Sequence, residues 1–359
     1  MRTLAYYRAH RQHYWSKAFA LNSVPTRRTT CGICTSEVET MKKLSIVVPV
    51  YFNEKSLPLL ADELEAVERL LLAKDVELEL IFVDDGSGDG SYREVLNIKA
   101  RRPATTVVKL SRNFGAVHAY KTGLQFVTGD CFLCLAADLQ DPPALILEMV
   151  DRWLGGCKYV ICIREKRQDP LATRLFAGFH YRLLRLLGIK DYPIGGFDLA
   201  LMDCRMLAHL RDSNKNVNPN VFVFWLGFTP SQISYVRRER LHGKSGWTFS
   251  KKVKFFLDTL LGFSMVPLRT ISAIGIAVAG LSILYGAFVL LMAIVRGSDV
   301  PGFATVASLI AFLLGLIICM LGVIGEYLWR IFDEINKRPG AVVEEVHLPM
   351  ELLPQRDAD

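Results

Sequence analysis

The sequence lacks the glycine-rich loops that hold phosphate groups in many nucleotide-binding folds. No strand-like segment is followed by GxGxxG, or by GxxxxGK with Ser or Thr next, so the chain has neither a dinucleotide fingerprint nor a P-loop. Residues 1–41 are basic and rich in aromatic side chains, and they lack the apolar core of a signal peptide. We expect this segment to be a poorly ordered N-terminal extension.

The cysteines do not form the pattern of a disulfide framework. Eight are scattered along the chain, and several, among them Cys131, Cys134 and Cys162, lie in apolar runs. This distribution is typical of reduced, buried cysteine in a cytosolic compartment. Cys31 and Cys34 form a CxxC, but without a second pair this spacing is weak support for a metal or redox site.

Charged residues are absent from two long apolar runs, at 271–294 and 305–324. Each run is long enough to supply the about 20 residues that cross a bilayer core. Basic residues lie just outside them, such as Arg269 before the first run and Arg330 after the second. By the positive-inside rule, residues 270–326 are predicted to form two transmembrane helices with both flanks in the cytoplasm and a short loop outside.

The overall composition is that of a membrane protein with anionic partners. Hydrophobic residues make up 51% of the chain, mean hydropathy is +0.25, and the net charge is +7. Such a charge favours phosphates, anionic lipid or nucleic acid. Nucleic acid is disfavoured because the basic residues cluster beside the apolar runs.

Residues 251–269 form a basic amphipathic segment, as do residues 171–188. Either could be a helix packed on the core, but the neighbouring apolar runs favour the membrane, and residues 251–269 are predicted to be an interfacial amphipathic helix. Residues 327–359 are predicted to be a cytoplasmic tail.

Residues 42–250 alternate strand-like and helix-like segments, which predicts an α/β fold. Leu44–Val50 and Leu78–Val83 are continuous apolar runs, typical of strands buried on both faces. Further strands are predicted at 105–110, at the run that begins at Cys131, and at 159–163; helices are predicted at 57–72, 91–100, 115–127 and 143–153. This alternation indicates a mostly parallel sheet with helices on both faces.

Acidic residues follow three of the predicted strands at the point where each strand ends. Glu54 comes shortly after the first strand, Asp84 ends the second, and Asp138 follows the apolar run CFLCLAA. The carboxyl ends of parallel strands share one edge of a sheet, so we expect these acids to meet in one crevice. Carboxylates there can accept hydrogen bonds from ribose or a base, and can bind a divalent metal that holds phosphates. For each segment alone, a capped turn is the alternative.

The ordered segments VVPVYFNE, VDDGS, SRNFG and ADLQDPP resemble the GT-A catalytic domain of family 2 glycosyltransferases. The later segments RLHGKSGW, FSMVPLR and IGEYLWRIFDEINKRP resemble the membrane-bound polyprenyl-phosphate glycosyltransferases, which include the bactoprenol glucosyltransferases and are related to dolichol-phosphate mannose synthase. The similarity covers roughly residues 42–345. It implies a Rossmann-like GT-A domain at 42–250 followed by two transmembrane helices.

The resemblance also implies an activity and its partners. A hexose would move with inversion from a nucleotide sugar, UDP-glucose as the first choice, to polyprenyl (undecaprenyl) phosphate. The reaction would take place at the cytoplasmic face of a bacterial inner membrane and supply a lipid-linked sugar for modification of cell-envelope glycans. A phosphate monoester is already anionic near neutral pH, since its second pKa is about 6, so a general base is not required. The enzyme must position the phosphate oxygen and stabilise the leaving diphosphate.

The resemblance assigns roles to individual residues. The donor nucleotide would be bound by Pro49, Tyr51, Glu54, Asp84, Asp85 and Asn113. Mg²⁺ or Mn²⁺ would be held by Asp138 and Gln140. The acceptor phosphate would be bound by Arg164, Arg240, Lys244 and Ser245. The catalytic set would be Asp138, Asp141, Arg164 and Arg240, with Asp141 as the nearest candidate if a base is used.

The chain departs from the family pattern at two positions. Ala136 stands where many relatives carry the first acid of a DxD motif, so fewer carboxylates would hold the metal. Gly243-Lys244-Ser245-Gly246 stands where many relatives read GESK, which moves the basic residue by two positions. Ala136 also favours the alternative of a non-catalytic membrane protein of the same fold.

The sequence leaves the sugar and the assembly open. UDP-N-acetylglucosamine, GDP-mannose and a UDP-aminoarabinose derivative are alternative donors, because pocket shape is not visible in motifs. The small residues Gly275, Gly280 and Gly286 in the first apolar run are compatible with a homo-oligomer packed through its membrane helices.

Overall fold

A computed structural model describes residues 41–165, 192–193, 197–215, 217–238, 266–296, 302–336 and 338–349. The predicted N-terminal extension and the amphipathic segment 171–188 lie outside the described residues, as does 251–269 apart from its last four positions. Arg240, Lys244 and Ser245 lie outside them as well.

The first part of the chain alternates strands and helices within a few residues of the bounds predicted from its apolar pattern. The elements are β1 (Lys42–Val50), α1 (Leu57–Leu72), β2 (Val76–Asp84), α2 (Ser91–Arg101), β3 (Thr106–Leu110), α3 (Ala116–Leu124), β4 (Cys131–Cys134), α4 (Leu145–Leu154) and β5 (Tyr159–Arg164).

The later helices are shorter or much longer than those of the first part, while the later strands are of similar length. They are β6 (Phe197–Asp203), a 3₁₀ turn (Cys204–Met206), α5 (Leu207–Asp212), α6 (Pro219–Trp225), β7 (Ser231–Tyr235), α7 (Val266–Arg296), α8 (Phe303–Ile335) and β8 (Val343–His347).

The strands form one eight-stranded sheet in the order β7-β5-β6-β4-β1-β2-β3-β8. The four central neighbours β4, β1, β2 and β3 are parallel, and β5 is parallel to β7. β6 runs antiparallel to β4 and β5, and β8 runs antiparallel to β3. The predicted mostly parallel sheet is therefore confirmed, with two antiparallel strands that the sequence pattern did not predict.

β1 is buried on both faces, which explains its continuous apolar run. Ile46 belongs to the core cluster that includes the buried side of α1, while Val47 belongs to the cluster on the α3 side. α1 buries Leu57, Leu60, Leu64, Val67 and Leu71, the spacing of one helix face. α3 approaches β1 closely at Gly123, where a Cβ atom would lie 2.3 Å from a methyl group of Val47.

A buried carboxylate joins β1 and β2 away from the strand ends that carry the predicted acids. Glu79 is 5% exposed, and Ser45 lies opposite it in the parallel register. Glu79 accepts hydrogen bonds from the Ser45 hydroxyl at 2.5 Å, from the Thr128 N–H at 2.9 Å and from the Thr128 hydroxyl at 2.7 Å. Lys43 Nζ lies 3.6 Å from it. This network ties the turn before β4 to the central strands.

The C-terminal helices are longer than the predicted spans. The uncharged runs at 271–294 and 305–324 lie within α7 and α8, and α8 continues to Ile335. Within the described residues, one segment, Phe312–Ile335, is long and apolar enough to cross a membrane, with a mean hydropathy of 2.1. The span within α7 stays a prediction.

The predicted tail at 327–359 is partly ordered structure. Its first residues complete α8, and Val343–His347 add the edge strand β8 to the sheet beside β3. The sequence prediction missed this strand because VEEVH has neither an apolar run nor an alternation of apolar and polar residues.

Replacing Glu79 with alanine tests the buried network. Glu79→Ala leaves the buried Ser45 hydroxyl, and the N–H and hydroxyl of the exposed Thr128, without their acceptor, which costs about 2–4 kcal/mol. For a domain of this size that corresponds to a fall of about 5–10 °C in Tm. Thermal unfolding in detergent measures it, with the exposed Glu77 on the same strand as the matched alanine control. Equal Tm values for the two variants would contradict the assignment.

Candidate active site

The carboxyl ends of β1, β2, β3, β4, β5 and β7 lie at one edge of the sheet. The first four are mutually parallel, and β5 is parallel to β7. β4 and β5 are each antiparallel to β6, so they are parallel to each other. β6 starts at this same edge with Phe197 and Asp198. The candidate site residues that the structure describes lie at this edge or in the loops that leave it.

The loops after β1 and β2 are joined by hydrogen bonds from backbone to side chain. The Asn53 N–H donates to Ser91 Oγ at 2.7 Å, and the Phe52 N–H donates to Ser87 Oγ at 3.3 Å. The serines of the second loop therefore satisfy backbone donors of the first. The two loops form one wall at the sheet edge.

Glu54 is fixed against the start of α2. Its Oε2 accepts the Gly90 N–H at 3.2 Å, and its Oε1 lies 3.6 Å from the Arg93 guanidinium. A Cβ atom at position 90 would lie 2.2 Å from Oε1, so a larger residue there would displace the Glu54 carboxylate from this position. A carboxylate at a helix N-terminus is stabilised by the helix dipole. Glu54 therefore has a structural task in addition to its predicted role at the nucleotide.

Two aromatic side chains stand exposed above this wall. Tyr51 is 46% exposed and Phe52 is 54% exposed, and their ring centroids lie 4.6 Å apart in an edge-to-face arrangement. Phe52 has φ of +55°, a conformation that costs a bulky residue backbone strain. Pro49 is half-buried one position before the end of β1. The exposed rings offer an apolar face to a planar ligand.

Asp84 is fully buried at the end of β2 and only partly satisfied. Its Oδ2 accepts the Ser87 N–H at 3.2 Å, while its Oδ1 has no hydrogen-bond partner among the described residues. Burial raises the pKa of Asp84, which the Ser87 bonds partly oppose. A buried carboxylate oxygen without a donor costs free energy, and such groups are typical of ligand sites.

Asp85 is buried beside it but has both oxygens satisfied. Oδ1 accepts the Phe114 N–H at 2.7 Å and Oδ2 accepts the Gly115 N–H at 2.8 Å. Burial raises the pKa of Asp85, and the two backbone donors oppose that rise. Asp85 therefore holds the loop 111–115, which follows β3.

Loop 111–115 packs directly on the turn after β2. Gly86 has φ of +68°, and a Cβ there would lie 2.5 Å from the carbonyl carbon of Arg112, so only glycine fits. The Arg112 guanidinium lies 4.2 Å from the centre of the Phe114 ring. Asn113, a predicted nucleotide contact, is exposed between them. The structure thus brings Asn113 to the same wall as Asp84.

Asp138 lies in a tight turn after β4. Its Oδ1 accepts the Gln140 N–H at 3.3 Å, and the buried Leu139 between them has φ of +59°. The Gln140 carbonyl oxygen accepts the Arg238 N–H at 3.0 Å. Ala136 is exposed, so water can reach the position of the missing acid.

The donor set around Asp138 is small for a metal site. In the described part of the chain, no group of three or more His, Cys, Asp or Glu side chains is placed to hold a metal ion. One carboxylate and one amide oxygen are hard ligands that suit Mg²⁺, which usually keeps several waters and takes few protein ligands. The residues present are compatible with such an ion when water and phosphate oxygens supply the other ligands.

Asp141 is buried and paired. It is 3% exposed, and its Oδ1 accepts the Tyr235 hydroxyl at 2.5 Å and lies 3.3 Å from Arg237 Nε. Burial and the nearby Asp141 raise the pKa of Tyr235, so the phenol keeps its proton and donates. These contacts join the turn after β4 to the end of β7.

Arg164 ends β5 and contacts Asp198 at the start of β6. Its side chain is 19% exposed, and Asp198 also lies 4.0 Å from the Arg237 guanidinium. The two arginines therefore share one carboxylate at the edge of the sheet. A phosphate group is the kind of ligand that could engage both.

Sequence reasoning missed four residues of this cluster: Asp198, Tyr235, Arg237 and Arg238. The available signals were the pair of glycines before Phe197 and the run RRER that follows the apolar alternation of β7. Both signals are weak because the antiparallel β6 interrupts the βα alternation on which the prediction relied.

The chain is similar along most of its length to bacterial glycosyltransferases. The profile described as glycosyl transferase family 2 matches residues 45–210. An uncharacterized glycosyltransferase of Synechocystis sp. is 34% identical over 319 residues, which cover 87% of this chain and 99% of the relative. A prophage-derived bactoprenol glucosyl transferase of Shigella flexneri is 30% identical over 307 residues, which cover 85% and 98%. The prediction of the family is confirmed.

Solved structures show only a distant likeness. Glucosyl-3-phosphoglycerate synthase from Mycobacterium tuberculosis, in complex with Mn²⁺ and UDP-glucose, has a TM-score of 0.42 at 19% identity, over 56% of this chain and 72% of that chain. Mannosyl-3-phosphoglycerate synthase from Rubrobacter xylanophilus has a TM-score of 0.41 at 16% identity, over 60% and 71%. TM-scores of this size say nothing about which ligands this chain binds.

The neighbouring acids Asp84 and Asp85 are expected to respond oppositely to the same substitution. Asp84→Asn should raise Tm at pH 7, because the amide oxygen still accepts the Ser87 N–H while the buried charge is removed. Asp85→Asn should lower Tm, at a cost of about 1–3 kcal/mol, because its NH₂ group would face a backbone N–H.

The pH dependence of the Asp84 effect gives a second check. Because the pKa of Asp84 is raised by burial, its charged carboxylate destabilises the folded protein at pH values above that pKa. This destabilisation disappears as pH falls through the pKa and the carboxylate takes up a proton. The gain from Asp84→Asn should therefore shrink on acidification. Thermal unfolding between pH 4 and 8 measures both effects, and Tm shifts of the same sign for the two variants would refute them.

Proposed function

This chain belongs to glycosyl transferase family 2, and we propose that it transfers a hexose from a nucleotide sugar to a polyprenyl phosphate. The observation that carries the proposal is the meeting of Asp84, Asp138 and Arg164 at one edge of the sheet. UDP-glucose is the proposed donor and undecaprenyl phosphate the proposed acceptor. Relatives named bactoprenol glucosyl transferase support both, since they match this chain over nearly their whole length.

The donor nucleoside is proposed to lie against the wall formed by the loops after β1 and β2. The orphan Oδ1 of Asp84 can accept a hydrogen bond from a base N–H or a ribose hydroxyl. The exposed Tyr51 ring can cover an apolar ligand face. Asn113 lies on the adjoining loop. Asp85 and Glu54 act in this proposal mainly by holding the loops in place.

The diphosphate is proposed to lie over the turn that contains Asp138 and Gln140. These two residues would hold Mg²⁺ or Mn²⁺, which supplies positive charge for the phosphate oxygens of the leaving group. The exposed Ala136 leaves room for water in the place of a second acid. Arg237, just after β7, adds positive charge beside this turn, whereas the Arg238 guanidinium is paired with Glu63 on α1.

The proposed reaction is a single displacement. An anionic oxygen of the lipid phosphate forms a bond to the anomeric carbon, and the bond from that carbon to the nucleoside diphosphate breaks, which inverts the configuration. No proton needs to be removed from the attacking oxygen, because a phosphate monoester is ionised near neutral pH. Asp141 is buried and bound by Tyr235 and Arg237, so we assign it to positioning of the turn and not to proton transfer.

The acceptor phosphate is proposed to bind at Arg164, where it would replace or share the contact with Asp198. Arg240, Lys244 and Ser245 follow β7 in the sequence and are proposed to complete this site. The lipid chain would remain in the bilayer beside α7 and α8, with the catalytic residues on the cytoplasmic side and both helices spanning a bacterial inner membrane. The segment Phe312–Ile335 supports this placement.

A donor panel tests the activity. Membranes that contain the protein are incubated with undecaprenyl phosphate, Mg²⁺ or Mn²⁺, and one of UDP-glucose, UDP-N-acetylglucosamine, GDP-mannose or a UDP-aminoarabinose derivative. We expect a glucosyl lipid from UDP-glucose. A product from another donor would correct the sugar, and no product from any donor, while a relative is active, would refute the proposal.

Family membership favours an enzyme over the non-catalytic alternative. Calorimetry with UDP and metal tests that alternative directly.

Substitution of Asp138 tests the assignment of the turn. Asp138→Ala should reduce turnover by about 100-fold or more, because a ligand of the metal ion that would neutralise the leaving diphosphate is lost. Glu77→Ala, at the opposite end of β2, is the control and should retain parental activity. Near-parental turnover of Asp138→Ala in the presence of Mg²⁺ would remove Asp138 from the site.

Substitution of Arg164 tests the acceptor site separately from the donor site. Arg164→Gln should raise the KM for polyprenyl phosphate about tenfold or more, because a charge-assisted bond to the phosphate is lost, and change the donor KM less than about twofold. Arg69→Gln, an exposed arginine on α1, is the control. A rise in donor KM alone would place Arg164 at the nucleotide sugar instead.

A further inference from the structure

The chain returns to the catalytic sheet after α8. We call residues 338–349 the return segment. Within it, β8 pairs antiparallel with β3, with Glu345 opposite Lys109. Beyond the paired strands, the Ser111 N–H donates to the Val342 carbonyl oxygen at 3.0 Å. The return segment is therefore bound both to a strand of the sheet and to the first residue of loop 111–115.

Side chains from two elements reinforce this pairing. The Tyr92 hydroxyl, on α2, donates to Glu345 Oε2 at 2.8 Å. Lys109 Nζ, on β3, lies 3.1 Å from Glu344 Oε2 and 3.5 Å from Glu345 Oε1. The Tyr92 bond and Lys109 lower the pKa of Glu345, so this carboxylate stays ionised and holds both partners. The contacts are partly exposed, so each contributes modestly and the backbone pairing dominates.

Loop 111–115 is held from two sides. At its far end, Asp85 binds the N–H groups of Phe114 and Gly115. At its near end, Val342 of the return segment binds Ser111. The β3–β8 register shifts between Lys109 and Leu110, directly before the loop. Such irregularities bend a strand and redirect the residues that follow.

The end of α8 is attached to the same domain. Lys215 Nζ lies 2.8 Å from Asp333 Oδ1, and both side chains are 18% exposed. Asn214 Nδ2 donates to Glu334 Oε2 at 2.6 Å. These bonds fix the last turn of α8 to the segment after α5. The return segment therefore starts from a fixed point and ends on β3.

We propose that the return segment is a positioning element for loop 111–115, and that its attachment to β3 sets the affinity of the crevice for the donor nucleotide. This inference rests on the proposed function, because Asn113 of that loop is a proposed nucleotide contact. If β8 only covered the sheet edge, its loss would reduce stability and leave nucleotide affinity unchanged. The hydrogen bond from the Ser111 N–H to the Val342 carbonyl oxygen distinguishes the two roles, because Ser111 belongs to the loop and not to the paired strands.

The test is a charge reversal in the full-length protein, E344K/E345K, which places two lysines against Lys109. Two measurements are made: hydrogen–deuterium exchange of the peptide that contains residues 111–115, and calorimetric binding of UDP with Mg²⁺. We expect exchange in this peptide to rise about tenfold in the variant. When the return segment detaches more often, the hydrogen bond from the Ser111 N–H to the Val342 carbonyl oxygen no longer holds the loop, and the loop opens more often. The Kd for UDP should rise about fivefold or more, while the KM for polyprenyl phosphate changes less than about twofold.

Two further variants control the test. E344Q/E345Q removes the negative charges without repulsion and should lie between the parent and the reversal. Glu77→Lys makes one such charge reversal at the opposite end of β2, half the charge change of the double variant, and should resemble the parent. Unchanged exchange in the loop, or faster exchange with an unchanged Kd for UDP, would overturn the inference. If the parent itself does not bind UDP, the proposed UDP-sugar donor fails instead, and loop exchange alone then decides whether the return segment positions the loop.

Discussion

The crevice depends on one buried carboxylate that binds two backbone N–H groups. Asp85 connects the end of β2 to loop 111–115, and the close approach at Gly86 leaves no room for another arrangement. Removal of the carboxylate would leave two half-buried backbone donors without their acceptor and would release the loop from β2. The position of Asn113, and the packing of the loop on the wall, follow from this contact.

Adjacent acids in this chain perform different tasks because their surroundings differ. Asp85 is satisfied by backbone donors, whereas Asp84 keeps one oxygen buried without a partner among the described residues. Asp141 is likewise bound, by Tyr235 and Arg237, and it joins the turn that contains Asp138 to the residues that follow β7. Asp85 and Asp141 therefore build the scaffold, whereas Asp84 bears a free-energy cost that a ligand can relieve.

The central sheet could be predicted from sequence because its strands are buried on both faces and read as continuous apolar runs. The acids at the strand ends could be predicted for the same reason, since parallel strands end at one edge. Asp198 and Tyr235 could not, because β6 runs antiparallel and breaks the alternation of strands and helices, and because β6 and β7 pair with a strand distant in sequence. β8 could not either: the sequence VEEVH has no apolar run, and only the neighbouring β3 makes it a strand.

The edge position of β8 has a consequence for biosynthesis. Residues 343–347 leave the ribosome after α7 and α8, so β3 is the outermost strand of the nascent sheet while those helices are being made. An uncovered strand edge can pair with other chains, and newly made domains are vulnerable at this stage. The catalytic sheet is therefore completed last, after the apolar helices have been synthesised, and a chain truncated within α8 would expose the β3 edge permanently.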